Sequence, residues 1–134
     1  METEHRVVVG DSRDLADLDA DSVDLVVTSP PYPMVEMWDD LFAELNPAIG
    51  SALDRGDDGS AFERMHAELD AVWEELARVL VDGGVACINI GDATRTVGGN
   101  FRVYQNHSRV IDALDGFGFE PLPELLWRKP ANSA

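Results

Sequence analysis

Apolar residues occur along the chain in short runs that predict β-strands. The run at residues 6–9 is β-branched and ends at a Gly-Asp pair. The run at residues 23–28 is nearly all apolar, as expected for a strand covered on both faces of a parallel sheet. A third run, residues 85–90, ends at another Gly-Asp pair, and Pro123 marks the beginning of a last strand over residues 125–128. The pattern therefore predicts four strands.

A long amphipathic helix is predicted between the second and third strands. Ser60 and, three residues later, Glu63 form a capping box at its start, and the pair Gly83-Gly84 ends it. Apolar residues recur along it at helical spacing, namely Phe62, Met65, Leu69, Val72, Trp73, Leu76, Val79 and Leu80.

The remaining segments give weaker patterns. Residues 54–58 are acidic and predicted to be a solvated loop. Residues 94–107 are predicted to be irregular, with Gly98-Gly99-Asn100 as the turn, and are either a candidate active-site loop or a plain connection. A short helix follows from about residue 108 to residue 114 and stops at Gly116.

Strands that alternate with helices predict an α/β fold with a doubly wound sheet. Ligands of such sheets bind outside the carboxyl ends of the strands. Three segments fall at predicted carboxyl ends: Gly10-Asp11, residues 28–32, and Gly91-Asp92. The candidate site is therefore expected where these segments meet.

Length and composition exclude several classes of protein. A chain of 134 residues suits one domain, and 45% apolar residues are too many for a disordered acidic tail. No apolar run approaches the ~20 residues of a membrane span, and Glu2 and Glu4 stand where a signal peptide would be basic, so a cytoplasmic location is expected. The single cysteine, Cys87, excludes an internal disulfide and a cysteine-built zinc site and is predicted to lie in the core.

The net charge of −16 argues at first against a nucleic-acid partner, because the field of such a chain repels polyanions at moderate salt. Most of the acid is Asp, 16 of 26 acidic residues, and nine of the ten basic residues are Arg. This composition is typical of proteins in molar salt, where a Debye length of ~3 Å removes most long-range repulsion. We therefore infer an extremely halophilic source.

The charge is uneven along the chain. Residues 1–89 hold 21 acids and five bases, whereas residues 90–134 hold five of each and sum to zero. A polyanion is expected to approach the second part, unless its basic residues are ordinary surface scatter. Those residues are Arg95, Arg102, Arg109, Arg128 and Lys129.

Residues 28–32, Thr-Ser-Pro-Pro-Tyr, carry the clearest candidate chemistry. Pro30 and Pro31 fix two successive φ angles and remove two backbone donors, which forces a rigid extended turn. The Ser29 hydroxyl and the Pro30 carbonyl can each accept a hydrogen bond, which matches the two N–H groups of an exocyclic amine. Tyr32 adds a flat face, and stacking of a base on an aromatic ring contributes about 1–3 kcal/mol. The motif predicts a pocket for an aminated planar ring.

Two other interpretations of this turn stay open: a helix-stopping connection, or a polyproline segment that a partner module recognises. A polyproline ligand is typical of a flexible polar tail, whereas this turn is joined to a buried strand at the expected ligand-binding edge. Its location favours the pocket.

The motif and its surroundings resemble the DNA amino-methyltransferases, which modify cytosine at N4 or adenine at N6 with S-adenosylmethionine. The resemblance is to the permuted group, in which Ser, Asp or Asn before Pro-Pro-Tyr precedes the methyl-donor loop. Matching blocks in family order are GDSRDLADLDADSVDLVVTSPPY at residues 10–32, RVLVDGGVACINIGD at 78–92 and GFEPLPELLWRKP at 118–130. The extension YPMVEMWD at residues 32–39 is similar to archaeal cytosine-N4 enzymes acting on CTAG. The resemblance implies a partial Rossmann-like sheet of the AdoMet-dependent methyltransferase type and double-stranded DNA as partner.

The resemblance assigns roles to the motif residues. Tyr32 would stack on a target base flipped out of the duplex, while Ser29 and the Pro30 carbonyl orient and polarise its amino group. Pro31 belongs to the same rigid catalytic turn. Methyl transfer is then an in-line displacement helped chiefly by positioning, with no covalent cysteine intermediate. Ser rather than Asp before Pro-Pro favours cytosine over adenine.

The resemblance also implies a methyl-donor site. Asp11 would accept a hydrogen bond from the adenine amino group of S-adenosylmethionine, with Gly10 and Thr28 as neighbouring donor-binding residues. The alternative for Asp11 is an ordinary Gly-Asp turn.

Other polar and aromatic residues have no assigned chemistry. His5, His66 and His107 are widely spaced and have no cysteine beside them, so a metal site has little support. His66 is interpreted as a packing or surface residue and Trp73 as core. Asn106 and His107 are placed near the loop over the pocket, but the sequence gives them no role.

Two family segments are absent from this sequence: the target-recognition region and the Phe-x-Gly-x-Gly loop that cradles the donor's methionine end. The chain is therefore expected to be an amino-terminal fragment or one half of a split enzyme completed by a second polypeptide, and to transfer little methyl group alone. Three hypotheses stay open: a cytosine-N4 methyltransferase, a related enzyme acting on adenine or on RNA or protein, and a non-catalytic remnant.

Overall fold

The computed structural model describes residues 1–129. The chain forms one strand, three helices, three strands and a last helix, in that order. Their bounds are β1 Val23–Thr28, a 3₁₀ turn Glu36–Trp38, α1 Asp39–Leu45, α2 Pro47–Asp54, α3 Asp58–Val79, β2 Leu80–Ile88, β3 Ala93–Val97, β4 Asn100–Tyr104 and α4 Asn106–Gly116. Pro130, the last residue of the third matching block, lies outside the described residues. Within residues 1–129 no helix has the length and apolar character needed to cross a membrane.

The centre of the fold is a parallel pair of strands, β1 and β2, joined by the helices α1–α3. Val26 lies opposite Ala86 and Thr28 opposite Ile88, so both strands reach the same edge of the sheet. This crossover of helices between parallel strands confirms the predicted α/β class.

The long helix keeps its predicted apolar face but not its predicted ends. Met65, Leu69 and Trp73 are buried along it. The cap is Asp57, whose carboxylate accepts the Ser60 amide at 3.1 Å, because an Asp at this position satisfies a free amide in the first turn of the helix. The capping box at Ser60 and Glu63 is therefore wrong.

The predicted helix end at Gly83-Gly84 is also wrong. The helix ends at Val79, because Leu80 is already extended and pairs with Val23 of β1. The glycine pair lies inside β2, where Gly83 has φ +80° and the register with β1 shifts. A Cβ at Gly84 would approach the Val81 carbonyl oxygen to 2.9 Å, so this irregular stretch requires glycine.

The first and last predicted strands are wrong. Residues 6–9 and 125–128 form no strand, and side chains such as Val9 and Leu125 are 98% and 94% exposed. Neither run pairs with β1 or β2, and an apolar run becomes a strand only when it has a partner and a surface to cover.

Only one face of the β1–β2 pair is covered within the described residues. Val26, Ala86 and Ile88 pack against the core. Alternate residues on the other face, including Val27 and Cys87, are exposed. The predictions that both faces are covered and that Cys87 lies in the core are therefore wrong here, because residues alternate between the two faces of a strand.

The segment predicted to be irregular is an antiparallel hairpin of β3 and β4. Its turn is the predicted one: Gly98 and Gly99 have φ +58° and +84° and join Val97 to Asn100. Positive φ at both central residues of a two-residue turn matches the twist of the flanking strands. α4 runs from Asn106 to Gly116, slightly longer than predicted.

Candidate functional site

The candidate site lies at the carboxyl ends of β1 and β2. The Thr28 carbonyl accepts the Asn89 amide at 2.8 Å, which holds the two strand ends level. Ser29 follows at the surface, and Pro30, Pro31 and Tyr32 are half-buried. The predicted turn therefore presents Ser29 to solvent, three residues before the Tyr32 ring.

A tight second turn follows the motif at once. The Val35 amide donates to the Tyr32 carbonyl at 3.2 Å, and between them Met34 has φ +64°. Met34 is buried, and its amide points at the Met65 sulfur at 3.3 Å. A positive φ costs a methionine of the order of 1 kcal/mol or more, so the packing around Met34 holds this backbone in place.

The Tyr32 ring lies beside Gly91. A Cβ built at Gly91 would lie 3.4 Å from the Tyr32 ring carbon Cε2, an ordinary van der Waals distance. The two sequence-predicted segments 28–32 and 91–92 are therefore neighbours at the strand ends.

Asn106, the first residue of α4, connects these segments. Its side chain is fully buried, and its amide nitrogen donates to the Pro33 carbonyl at 2.9 Å and to the Gly91 carbonyl at 3.0 Å. The loop after β1 and the loop after β2 thus share one donor group.

His66 of α3 completes this buried network. Its Nε2 lies 2.9 Å from the Asn106 carbonyl oxygen. Because the Asn106 nitrogen is committed to two carbonyls, its oxygen faces the ring and Nε2 carries the proton. Nδ1 is then unprotonated and has no partner within residues 1–129. Burial, with a smaller contribution from the nearby Arg109, lowers the pKa of the His66 imidazole to about 4, so the ring is neutral near pH 7.

Asp92 orients the start of α4. Its carboxylate accepts the His107 backbone amide at 3.2 Å and contacts the His107 ring at 2.7 Å. The hydrogen bond to Asp92 raises the pKa of His107. Asp92 therefore serves as a cap from outside the helix, since the residue before α4, Gln105, makes no side-chain capping bond.

Gly10 and Asp11 lie in an exposed segment beside α3 rather than after a strand. Both Asp11 oxygens accept hydrogen bonds from the Arg13 guanidinium, at 2.7 to 3.1 Å, and these bonds lower the pKa of Asp11. The next residue, Ser12, lines an open groove of about 250 Å³ together with Thr28. The other walls are leucine and valine side chains. Thr28, one of the predicted donor-binding residues, therefore lines this groove. Asp11 directly precedes the lining residue Ser12 in the chain.

The arginines of the second part of the chain do not form a free cationic surface. Three of them pair with acidic residues of the first part: Arg95 with Asp39 at 2.6 Å, Arg102 with Asp58 at 2.7 Å, and Arg109 with Asp70 at 2.8 Å and Glu63 at 3.2 Å. Three of the five basic residues expected to attract a polyanion are therefore already neutralised by carboxylates. Because each of the three has a defined partner, they are not randomly distributed surface charges either.

Sequence reasoning missed the network of His66, Asn106 and Asp92. It placed Asn106 and His107 near the pocket without a role and interpreted His66 as a packing or surface residue. The sequence offered one usable signal: a histidine on the apolar face of one helix and a polar residue at the start of another. That signal alone does not show that the two residues are hydrogen-bonded to each other.

Comparison with known proteins supplies the family. Residues 23–134 match the N6_N4_Mtase family, described as DNA methylase. The type II methyltransferase M.MjaI of Methanocaldococcus jannaschii is 48% identical over 97% of this chain and 46% of its own length. M.MthZI of Methanothermobacter thermautotrophicus, also a type II methyltransferase, is 50% identical over 98% of this chain and 38% of its own length. The chain thus spans less than half of the length of these two relatives.

A more distant relative has a different described activity. The release factor glutamine methyltransferase of Caulobacter vibrioides is 40% identical over 89 residues, which are 63% of this chain.

Solved structures agree with the family match. The protein TTHA0409 of Thermus thermophilus, described as a DNA modification methylase, superposes with a TM-score of 0.66 and 32% identity over 89% of this chain and 42% of that protein. Its complex with S-adenosyl-L-methionine superposes with a TM-score of 0.63 over 85% of this chain and 41% of that protein. These matches confirm the resemblance and the fold class predicted from the sequence: the chain belongs to the N6/N4 DNA methylase family and has an AdoMet-dependent methyltransferase fold.

Proposed function

We propose that this chain is the target-base half of a site-specific DNA methyltransferase that transfers a methyl group from S-adenosylmethionine to the exocyclic N4 amine of cytosine in duplex DNA. The observation that carries the proposal is the rigid turn 29–32 at the carboxyl end of β1, with Ser29 exposed and the half-buried Tyr32 beside Gly91. A flipped base would stack on Tyr32.

At the base, the protein acts by positioning. The Ser29 hydroxyl oxygen and the Pro30 carbonyl accept hydrogen bonds from the two N–H groups of the amine and turn the nitrogen lone pair away from conjugation with the ring. Pro30 fixes its own φ and Pro31 restricts the ψ of Pro30, so the two acceptors keep a nearly constant angle. Holding the amine in line with the methyl group converts an encounter between two molecules into a step within one complex.

At the donor end, S-adenosylmethionine supplies an electrophilic methyl group on a sulfonium sulfur. The groove of about 250 Å³ at Ser12 and Thr28 fits the adenine ring, because its walls are apolar. Gly10, Asp11 and Thr28 are the proposed donor-binding residues, and Asp11 must share its carboxylate with Arg13. The sequence contains no Phe-x-Gly-x-Gly loop for the methionine end, so we propose that chain beyond these residues, or a second polypeptide, supplies it.

The choice of cytosine rests on Ser29 before Pro-Pro and on the similarity of residues 32–39 to enzymes of the CTAG type. Adenine-N6 methylation is the nearest alternative. A second candidate is methylation of an amide nitrogen in a protein, which the 40% identity to the release factor glutamine methyltransferase favours.

The test uses the whole methyltransferase that contains these residues, or this chain together with a polypeptide carrying the remaining half. DNA is incubated with S-adenosylmethionine and digested, and its nucleosides are identified by mass spectrometry. We expect N4-methylcytosine, and little or no methyl transfer by the 134-residue chain alone. N6-methyladenine would contradict the base assignment, and unmodified DNA would contradict the function.

Matched variants separate the motif from the scaffold. Ser29→Ala should lower kcat by roughly 100-fold through loss of an acceptor, whereas Ser51→Ala on α2 should not. Tyr32→Phe, which keeps the stacking face, should retain most of the activity that Tyr32→Ala loses.

A further inference from the structure

One buried side-chain amide holds together the loops that follow β1 and β2. Asn106 is inaccessible to solvent, and its nitrogen contacts the Pro33 carbonyl at 2.9 Å and the Gly91 carbonyl at 3.0 Å. Pro33 directly follows the turn 29–32, and Gly91 lies beside the Tyr32 ring. Asn106 therefore ties the backbone that carries Tyr32 to the loop beside its ring.

Asn106 does not serve its own helix in this arrangement. It is the first residue of α4, yet its side-chain amide donates outward to two loops, while the Asp92 carboxylate accepts the His107 amide at the helix start. A side chain whose two donors both serve other segments has a role in joining those segments.

We propose that Asn106 is the positioning residue of the target-base site: it ties the segment after the turn 29–32 to Gly91 and thereby sets the angle of the Tyr32 ring. The meaning of this angle for methyl transfer rests on the proposed function. His66 supports the clamp, because its Nε2 proton holds the Asn106 oxygen and prevents the amide from turning over.

The chemistry of the contact requires asparagine. Aspartate has the same shape but no donors, and it would place a carboxylate against two carbonyl oxygens. Alanine would leave both carbonyls and the His66 nitrogen without partners. Each replacement should release the two loops together rather than one of them.

The first test measures the clamp without reference to activity. Amide hydrogen exchange is followed by NMR at Met34, Val35 and Asn89 and at the centre of α3. These three loop amides donate to the Met65 sulfur, the Tyr32 carbonyl and the Thr28 carbonyl respectively. In Asn106→Ala we expect exchange at these three amides to rise about tenfold more than in α3. The control is Val110→Ala, which removes a buried side chain from the same helix and should change exchange in the loops and in α3 alike.

A milder pair of variants applies if Asn106→Ala does not fold. His66→Leu removes only the donor to the Asn106 oxygen and should raise loop exchange, whereas His66→Gln restores a donor and should bring it back toward the original rate. Equal exchange in the leucine and glutamine variants, or a uniform change in Asn106→Ala, would overturn the clamp.

The second test measures positioning in the whole methyltransferase. Asn106→Ala should lower kcat by roughly 10- to 100-fold with little change in KM for DNA, because the base still binds but its amine is misaligned. A kcat equal to that of Val110→Ala would overturn the positioning role. If exchange is selective but the unsubstituted enzyme methylates no DNA, the proposed function fails and the clamp stands.

Discussion

The buried His66 predicts a specific loss of stability in acid. In the unfolded chain an imidazole takes up a proton near pH 6.5, whereas folded His66 stays neutral until about pH 4 because burial lowers its pKa. Between these values the unfolded state binds more protons, so the free energy of unfolding falls as the pH falls. One pKa unit corresponds to about 1.4 kcal/mol, so lowering the pH from 7 to 4.5 should cost about 2.5 kcal/mol at this residue alone.

The comparison that isolates this loss is His66→Gln, which keeps a donor to Asn106 and does not titrate. The acidic residues, including Glu63 and Asp70 near the ring, are common to both proteins, so their contribution cancels in the comparison. Urea unfolding is measured for each at a series of pH values from about 7.5 to 4.5 at constant salt. The unsubstituted chain should lose about 2.5 kcal/mol relative to the variant over this range. A gap between the two proteins that stays constant within about 0.5 kcal/mol would refute the assignment of a neutral buried ring.

Three further predictions concern the fold. Gly98→Ala should lower the free energy of unfolding in urea by about 1–2 kcal/mol, because Gly98 has φ +58° and lies against the Gly56 backbone. Gly59→Ala, in open space within α3, should instead raise the free energy of unfolding by about 0.5 kcal/mol. Equal effects would contradict this account of the turn. Arg95→Met should cost about 2 kcal/mol by leaving Asp39 unpaired, and a double-mutant cycle with Asp39→Asn should show strong coupling; additive effects would mean that the pair contributes little. Raising KCl from about 0.1 to 2 M should raise the Tm, since screening relieves the repulsion of 16 net negative charges; a falling Tm would contradict the inferred halophilic source.

The sequence was informative where one local pattern decides the structure. The apolar run 23–28 and the helical stripe through Trp73 were both recognisable, because each is defined by neighbours along the chain. The turn 29–32 was also recognisable, since proline restricts the backbone whatever surrounds it. Residues 6–9 looked equally strand-like but have no partner strand within residues 1–129, and the run itself does not show whether a partner exists.

Contacts between distant segments were not predictable from one sequence. Arg95 and Asp39 are far apart in the chain, and charge counting could only describe Arg95 as a free cation. The hairpin was hidden because its strands are short and carry polar and apolar residues on both faces, although Gly98-Gly99 marked its turn correctly. Asn106 gave no signal, because its importance comes from two carbonyl groups that any residues could have provided.

The paired arginines have a consequence for how a methyltransferase containing this half would depend on salt. A protein that neutralises phosphates with free cations releases bound counterions from DNA, and its affinity falls steeply as salt rises, by about one power of the salt concentration for each phosphate contacted. Arg95, Arg102 and Arg109 are already matched by carboxylates, so this half has few such contacts to lose. On the proposed function, its share of DNA recognition would come from stacking and hydrogen bonding at the flipped base, interactions that survive in concentrated salt.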